Sequence, residues 1–257
     1  MNKIHPSSLV HANAILGEDI EIGPFCTVGP EVHLGDGCRL ISHVVLDGPE
    51  TKIGQNNTFY PFCIVGIDPQ DKKYNQERTR LIVGDDNVFR ESVSVHRGSA
   101  GGGETRIGDG NLLMGHVHVA HDCVLGNHNV LVHYVGLSGH VVIDDHVTLG
   151  GRVGVVQFHR IGSYAYIGGA SVVDKNVPPF ASGYGDCLDI KSVNIVGLKR
   201  EGFSRDVIRA VTDAHRLYFR SGLGKVEALR QIKETLGEFE EVRLFTDFLE
   251  ADDGQLN

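Results

Sequence analysis

Histidine is the side chain in this sequence best suited to chemistry near neutral pH, because an imidazole can accept or donate a proton there. Eight of the 14 histidines fall between residues 116 and 159. They are His116, His118, His121, His128, His133, His140, His146 and His159. Asp122 follows His121, and the pair Gly139-His140 comes 18 residues later. An acyl transfer needs a base for the attacking hydroxyl and a donor for the developing oxyanion. These residues supply both if the fold brings positions 18 apart together.

A repeat of six residues defines the elements that must position these side chains. Twelve positions spaced six residues apart, which we call apolar marks, are all Leu, Ile or Val. They are Ile107, Leu113, Val119, Leu125, Leu131, Leu137, Ile143, Leu149, Val155, Ile161, Ile167 and Val173. Neither an α-helix nor an alternating strand has an apolar period of six. Hexapeptide periodicity is typical of β-helices. Eighteen residues then make one triangular coil, and the next coil lies about 4.8 Å above it. This geometry places Gly139 directly above His121 and stacks His146 on His128.

The repeat also fixes the predicted domain organisation. It starts at Ile4, slips by one residue before Ile53, and is interrupted near residues 66–80 and 98–106. We therefore predict a parallel β-helix over residues 1–190 with loop insertions at those two places, and loops that leave a rigid scaffold often carry function. The second insertion contains a run of three glycines at 101–103.

The C-terminal part of the chain changes from a β to a helical pattern. Pro178 and Pro179 are expected to end the strand ladder, because proline cannot donate to it. Residues 191–257 are predicted to form a small helical domain. One helix runs from an N-cap at Ser204 to Arg220, and two more lie near 224–236 and 238–250. Basic residues collect at the start of this domain: Lys199, Arg200, Arg205, Arg209, Arg216 and Arg220.

Composition excludes several classes of partner. The chain has 257 residues and a net charge of −9, so nucleic acid is not an expected partner. Its five cysteines are scattered and odd in number, which fits a reducing compartment better than a disulfide framework. The first residues lack the apolar core of a signal peptide, and no window resembles a membrane span of roughly 18 apolar residues. A cytoplasmic location is therefore expected.

Two other classes of function stay open from the residues alone. His116 and His121 form an H-x4-H pair that His96 or His140 could complete as a three-histidine zinc site, like that of a γ-carbonic-anhydrase-type hydratase. Hexapeptide prisms can also be scaffolds without catalytic activity. The scaffold hypothesis predicts that His121 can be replaced without loss of activity.

Several motifs resemble one family over nearly the whole chain. They are LLMGHVHVAHDC at 112–123, FRESVSVHRG at 89–98, Gly139-His140, PQDKKY at 69–74 and VNIVGLKREGFS at 193–204. Together they resemble the acyl-ACP:UDP-N-acetylglucosamine 3-O-acyltransferases of lipid A biosynthesis. The resemblance implies a homotrimer of left-handed β-helices with active sites between subunits. It implies no metal and no cofactor, with a 3-hydroxyacyl group supplied by acyl carrier protein.

The resemblance also implies roles for individual residues. His121 would be the general base that deprotonates the sugar 3-hydroxyl, Gly139 the oxyanion donor, and Asp122 a residue that orients the base. Positions that hold the sugar, the phosphates or the pantetheine arm correspond to Gln70, Asp71, Lys73, His96, His118 and His140. Positions near the nucleotide or the acyl chain correspond to Gln157, Asn194 and Arg200. Acyl carrier proteins are acidic, so the basic residues of 199–220 are the predicted docking patch.

The sequence departs from the family pattern at positions near the expected phosphates. Val156 precedes Gln157 where the family usually has histidine, and Glu201 follows Arg200 where many members have a second arginine. Both changes weaken anion binding. A 3-amino sugar nucleotide, which would give an amide product, is therefore an alternative acceptor.

Overall fold

The computed structural model describes residues 1–99 and 103–251. The strands are β1 Lys3–Ile4, β2 Leu9–Val10, β3 Ile15–Leu16, β4 Glu21–Ile22, β5 Thr27–Val28, β6 Val32–Leu34, β7 Arg39–Leu40, β8 Val45–Leu46, β9 Thr51–Ile53, β10 Thr58–Phe59, β11 Ile64–Ile67, β12 Arg80–Val83, β13 Val88–Phe89, β14 Ser94–His96, β15 Glu104–Ile107, β16 Leu112–Leu113, β17 His118–Val119, β18 Val124–Leu125, β19 Val130–Leu131, β20 Gly136–Leu137, β21 Val142–Ile143, β22 Thr148–Leu149, β23 Gly154–Val155, β24 Arg160–Ile161, β25 Tyr166–Ile167, β26 Val172–Val173, β27 Ala181–Tyr184 and β28 Asp189–Val193. The helices are α1 Ile195–Arg200, α2 Arg205–Arg220, α3 Lys225–Leu236 and α4 Glu240–Ala251.

The strands form the three faces of a triangular prism, as the period of six predicts, and the prism is left-handed, as the family resemblance implies. Among β1 to β26, strands three apart in the chain pair in parallel, and with β27 and β28 this gives sheets of 11, 9 and 8 strands in the described part of the chain. Leu113 pairs with Leu131, and Leu131 pairs with Leu149, so one coil is 18 residues where there is no insertion. The apolar marks point inwards: Leu113, Leu131 and Leu149 are fully buried. The predicted fold is confirmed.

The glycines that follow many apolar marks have a steric explanation. A side chain at Gly108 would place its Cβ 2.4 Å from Asn127 Oδ1, and one at Gly126 would place it 2.2 Å from Asp145 Oδ1. Those same oxygens accept backbone N–H groups of the coil below, from Asp109 at 2.8 Å and from Asn127 at 2.6 Å. Glycine therefore leaves room for a polar side chain that ties one coil to the next.

A ladder of buried asparagines runs inside one corner of the prism. Its members are Asn57, Asn87, Asn111 and Asn129, all at most 1% exposed. Asn111 Nδ2 donates to Asn87 Oδ1 at 2.9 Å and to the Gly126 carbonyl at 3.0 Å. Its Oδ1 accepts the Asn129 N–H at 2.8 Å. Each amide thereby satisfies backbone groups at a corner where the sheets do not pair them.

Replacing Asn111 with Leu should therefore destabilise the prism strongly. The change removes the partners of the Asn129 N–H and the Gly126 carbonyl. We expect a loss of about 3 kcal/mol in the free energy of unfolding, measured by urea titration. Asn75→Leu in the exposed first loop is the control and should change it by less than about 0.5 kcal/mol. Equal effects of the two variants would contradict the ladder's role.

The first insertion lies between β11, which ends at Ile67, and β12, which begins at Arg80. Buried Arg97, just after β14, fastens it through hydrogen bonds to the side chains of Asp68 and Tyr74. The second insertion lies between β14 and β15. Of its glycine run, residues 101 and 102 lie outside the described residues.

The expectation that the two prolines end the ladder is wrong. β27 follows them and still pairs in parallel with β25, and β28 then adds an antiparallel strand. The prolines interrupt a different face, whose last strand is β24. Pro179 sits over Gly162, where a Cβ would lie 2.5 Å from the proline Cδ. At this outer edge the missing proline N–H costs no ladder bond.

The four helices pack on one another and on the last coil of the prism. Ser204 caps α2 through the Val207 N–H at 3.2 Å, and Asn194 caps α1 through the Gly197 N–H at 3.0 Å. Phe180 from the prism joins the core of the helical domain, which includes Phe245. Within residues 1–99 and 103–251, no helix is both long and apolar enough to cross a membrane.

His215 is buried in the helical domain and should make its stability sensitive to acid. It is 5% exposed and lies against Phe219, and burial together with nearby Arg220 lowers its pKa to about 4. The unfolded chain, with a pKa near 6.5, binds the proton first, so stability falls as pH drops below that value. We expect a loss of about 2 kcal/mol between about pH 7.5 and pH 5. Urea titrations at the two pH values should show this loss in the native protein. In His215→Leu that contribution should vanish, and an unchanged pH dependence in the variant would contradict it.

Candidate active site

The sequence-predicted base lies at a corner of the prism. Asp122 and His140 both adopt left-handed backbone conformations, with φ of 60° and 62°, which turn the chain from one face to the next. The His140 N–H donates to the His121 carbonyl at 3.1 Å, so the two corners stack. The rings of His121 and His140 meet edge to face with centroids 5.4 Å apart. Coil stacking therefore brings these three residues together.

A carboxylate fixes the orientation of His121. His121 Nδ1 lies 2.8 Å from Asp122 Oδ2. Asp122 also accepts the Ser99 N–H at 2.9 Å and the Ser99 hydroxyl at 2.6 Å. Burial opposes the charge of Asp122, but these hydrogen bonds outweigh it, and the pKa of the carboxyl is lowered. An ionised carboxylate only accepts, so His121 donates from Nδ1 and Nε2 carries the lone pair. This arrangement fixes the orientation of the His121 ring and leaves Nε2 able to accept a proton.

Gly139 faces the imidazole of this base. A Cβ at Gly139 would lie 2.6 Å from His121 Cε1 and 2.8 Å from Nε2. No side chain fits there without displacing the ring. The backbone of this coil therefore approaches the reactive nitrogen closely.

Two further histidines lie beside the base on the adjoining face. His118 Nδ1 is 2.9 Å from Ser94 Oγ, and its ring meets His96 edge to face at 5.2 Å. His96 donates from Nδ1 to the Asp68 carbonyl at 2.6 Å, which ties the first loop to the site. Burial lowers the pKa of both His96 and His118, so both are neutral near pH 7.

The other predicted residues of the first loop lie at its surface. Gln70 and Lys73 are exposed. Asp71 is half-buried, and its Oδ1 accepts the Lys73 N–H at 2.9 Å. Its side chain therefore organises the loop itself. The structure places all three on the segment that His96 ties to the site.

A shallow groove of about 290 Å³ leads away from His118 along the outside of one face. Its floor has no side chains at Gly136 and Gly154, where an added Cβ would meet nothing within 4 Å. Val156 and Val172 line it further along. This groove was not predicted from the sequence, although both glycines directly precede an apolar mark, as His118 does. Ser99, which anchors Asp122, was missed as well.

Gln157 lies on the same corner as His121, one coil beyond Gly139, whereas Asn194 and Arg200 are not assembled with it. Gln157 is exposed next to Phe158, whose ring stacks on His140 at 4.8 Å. Asn194 and Arg200 instead line a separate cavity of about 620 Å³ with His146, Tyr164 and Glu201. This cavity lies by the corner at which His146 stacks on His128, with ring centroids 5.0 Å apart. Within one chain, this cavity and the His121 site lie on different corners of the prism.

The basic residues at 199–220 are partly paired. Asp213 lies 3.2 Å from Arg216 and 3.9 Å from Arg209, and both arginines are exposed. Arg220 donates to the Lys191 carbonyl. Lys199 and Arg200 occupy the last turn of α1. One carboxylate is thus shared by two guanidinium groups, and the surface keeps a local positive balance.

The predicted three-histidine zinc set is wrong for this chain. His116 lies at a different corner from His121 and stacks on Tyr134 with centroids 4.6 Å apart. In the described part of the chain, the group that could hold a metal ion is His121, Asp122 and His140. The H-x4-H spacing failed because four intervening residues carry the chain from one corner of the triangle across a face to the next.

A hexapeptide prism that holds an oriented histidine at a coil corner fits the class of hexapeptide-repeat acyltransferases. Residues 176–255 match a family model described as Udp N-acetylglucosamine O-acyltransferase, Domain 2. The acyl-[acyl-carrier-protein]–UDP-N-acetylglucosamine O-acyltransferase of Halorhodospira halophila is 45% identical over 251 residues, which are 97% of each chain. This chain belongs to the UDP-N-acetylglucosamine O-acyltransferase family and is an enzyme.

Solved structures of relatives agree with the fold. The crystal structure of the UDP-N-acetylglucosamine O-acyltransferase from Moraxella catarrhalis is similar with a TM-score of 0.93, 41% identity and coverage of 97% of both chains. That of the Francisella novicida enzyme has a TM-score of 0.94 and 35% identity, and it covers 98% of this chain and 93% of that one. The similarity spans both the prism and the helical domain.

Proposed function

We propose that this enzyme moves a 3-hydroxyacyl chain from acyl carrier protein to the 3-hydroxyl of UDP-N-acetylglucosamine, the first step of lipid A synthesis, as a cytoplasmic homotrimer. The observation that carries the proposal is the oriented base: His121 is held by Asp122 at 2.8 Å, with its Nε2 facing Gly139. The relative from Halorhodospira halophila, named for this donor and acceptor, supports the choice of substrates.

The proposed mechanism follows from the protonation of His121. Its Nε2 takes the proton of the sugar 3-hydroxyl as the oxygen attacks the thioester carbonyl. The carbonyl becomes an oxyanion, to which the Gly139 N–H is proposed to donate. The imidazolium, stabilised by Asp122, then returns the proton to the sulfur as the C–S bond breaks. The products are the 3-O-acyl sugar nucleotide and the free thiol of the carrier protein.

The neutral histidines beside the base suit uncharged parts of the substrates. Burial lowers the pKa of His96 and His118, so neither offers a positive charge to a phosphate at neutral pH. We assign His118 and His140 to the sugar and His96 to holding the first loop against it. That loop carries Gln70, Asp71 and Lys73, of which only Lys73 brings a positive charge for a phosphate.

The groove beside His118 suits the acyl chain. From His118 to Val172 the strands rise by three coil steps, which is about 14 Å. The two glycines keep this path open, and valines line its far end.

Filling the groove should therefore shorten the preferred acyl chain. In Gly154→Leu the new side chain stands in the path two coil steps from His118. We expect the optimum to move down by roughly four carbons, because one coil step of about 4.8 Å holds about four methylene groups. Rates with a series of acyl carrier proteins that bear chains of different length would measure the shift. An unchanged optimum would place the chain elsewhere.

A trimer would bring the second cavity of one copy to the site of another. Aromatic rings on one edge of the prism, Phe25, Phe62 and Tyr134, are each more than half exposed, which supports burial against another copy. In such an assembly Asn194 and Arg200 of one copy would bind the nucleotide, and the copy that carries the base would supply Gln157.

The carrier protein is proposed to dock on the basic residues of 199–220. Acidic proteins associate faster with a positively charged surface, and the effect falls with salt. Arg205 begins α2, and Arg209 and Arg216 share the single carboxylate of Asp213. Complementary charge on this face would mainly raise the association rate.

The direct test of the proposed substrates is an acyl-transfer assay with two acceptors. Native enzyme and labelled 3-hydroxyacyl carrier protein are mixed with UDP-N-acetylglucosamine or with its 3-amino analogue. We expect the natural sugar to give an ester that mild alkali cleaves. A faster reaction with the amino analogue, giving an alkali-stable amide, would overturn the acceptor. Absence of transfer to both acceptors at several chain lengths would overturn the proposed function.

A further inference from the structure

We propose that His121, Asp122 and His140 form a binding site for zinc or a similar divalent transition-metal ion, and that the bound ion stops acyl transfer. One ligand atom from each residue lies within 4.8 Å of the others. Metal binding depends only on this geometry. The inhibition rests on the proposed role of His121 as the base.

The distances require little rearrangement. His121 Nδ1 and Asp122 Oδ2 are 2.8 Å apart, and His140 Nε2 lies 3.6 Å from the same oxygen. Zinc binds such atoms at about 2.0–2.2 Å, so ligands of one tetrahedral ion are about 3.4 Å from each other. Each of these pairs is within about 1 Å of that separation. A fourth position stays open for water, as in zinc sites with three protein ligands.

The chemistry of the three groups also suits such an ion. Ser99 holds the Asp122 carboxylate with two hydrogen bonds, from its N–H at 2.9 Å and from its hydroxyl at 2.6 Å. Hydrogen bonds of this kind to a metal ligand strengthen binding. Imidazole with a carboxylate favours zinc over magnesium, which prefers oxygen ligands. The His140 side chain is 41% exposed, so an ion can enter.

Binding changes the tautomer of His121. In the metal-free enzyme Nδ1–H donates to Asp122, and the ion takes the place of that proton on the nitrogen. Because a neutral imidazole is the ligand, the proton moves through solvent to Nε2 and none is released in net terms. The ring then loses its hydrogen bond to Asp122, and Nε2, which now carries a proton, no longer accepts the proton of the sugar hydroxyl.

A second group of two histidines and a carboxylate provides the matched control. At the neighbouring corner His128 stacks on His146, and His146 Nδ1 lies 3.4 Å from Glu201 Oε2. This group does not bring three ligand atoms within 4.8 Å of one another. His128 and His140 share the left-handed conformation, with φ of 56° and 62°. Asparagine tolerates that conformation, so His128→Asn and His140→Asn are equally mild changes to the backbone.

The test is calorimetric titration of the chelator-washed enzyme with zinc chloride alone. We expect one ion per chain. Affinity should fall at least about 100-fold in His140→Asn and in Asp122→Asn, and stay unchanged in His128→Asn. Circular dichroism confirms that each variant is folded. The proposal is overturned if native enzyme binds no zinc, or if His128→Asn loses the affinity and His140→Asn keeps it.

An activity measurement separates the two parts of the proposal. Zinc should inhibit transfer by native enzyme over the same concentrations at which it binds, and excess chelator should restore the rate. Full activity without zinc binding would refute the metal site and leave the proposed function standing. Zinc that binds at this site without slowing transfer would contradict the role of His121 as base.

Discussion

Replacing His121 with Asn should lower kcat for acyl transfer by about 10²- to 10⁴-fold, because no other group takes the proton of the sugar hydroxyl. Asparagine is close in size to the lost ring and has no basic nitrogen. The side chain is mostly buried at the corner, and its partner Asp122 is also held by Ser99, so the site keeps its shape. The measurement is single-turnover transfer from acyl carrier protein to UDP-N-acetylglucosamine.

The control for this prediction is His128→Asn, which changes a histidine at another corner in the same way. It should transfer at the native rate. Binding of UDP-N-acetylglucosamine should persist in His121→Asn, since a base contributes mainly to the transition state. A His121→Asn enzyme within about threefold of the native rate would remove His121 from the mechanism and favour the scaffold hypothesis for this corner.

Gly139→Ala should be nearly as damaging, although it adds a single methyl group. The new Cβ would lie 2.6 Å from His121 Cε1 and 2.8 Å from Nε2, which real Cβ atoms do not tolerate. The imidazole must move by close to 1 Å, and a displacement of that size can cost about 10²-fold in rate. The loss should appear in kcat, measured in the same assay, with little change in the urea midpoint.

Gly115→Ala provides the matched control. This glycine lies on the same prism, but a Cβ there would be 3.5 Å from its nearest neighbour, the Glu91 carbonyl, which is ordinary contact. Its transfer rate should be close to native. If Gly139→Ala were equally active, the close approach of this backbone to the base would have no catalytic meaning.

The parts of the site that could be predicted from the sequence are those set by the length of one coil, which is 18 residues. Between residues 107 and 173 there is no insertion, so positions 18 apart stack. Gly139 therefore does lie over His121, and His128 does stack on His146. The period of six also fixes which side chains point inwards, because every sixth side chain must fill the narrow interior of the prism.

Contacts that cross an insertion could not be predicted in this way. Ser99 reaches Asp122 across 23 residues, and the Asp68 carbonyl reaches His96 across 28. Neither separation is a multiple of 18, since loops of arbitrary length intervene. The same limit applies to Asn194 and Arg200, which follow the end of the repeat and line a cavity at another corner. In the proposed trimer their relation to the base depends on a neighbouring copy, which the sequence of one chain does not specify.

The central claim is that His121 takes the proton of the sugar 3-hydroxyl, and a crystal structure of the enzyme with UDP-N-acetylglucosamine tests it most directly. The distance to measure joins the 3-hydroxyl oxygen to His121 Nε2. We predict about 2.6–3.2 Å, with Nδ1 still on Asp122. A sugar bound with its 3-hydroxyl more than about 5 Å from that nitrogen, and with no single water between them, would contradict the claim.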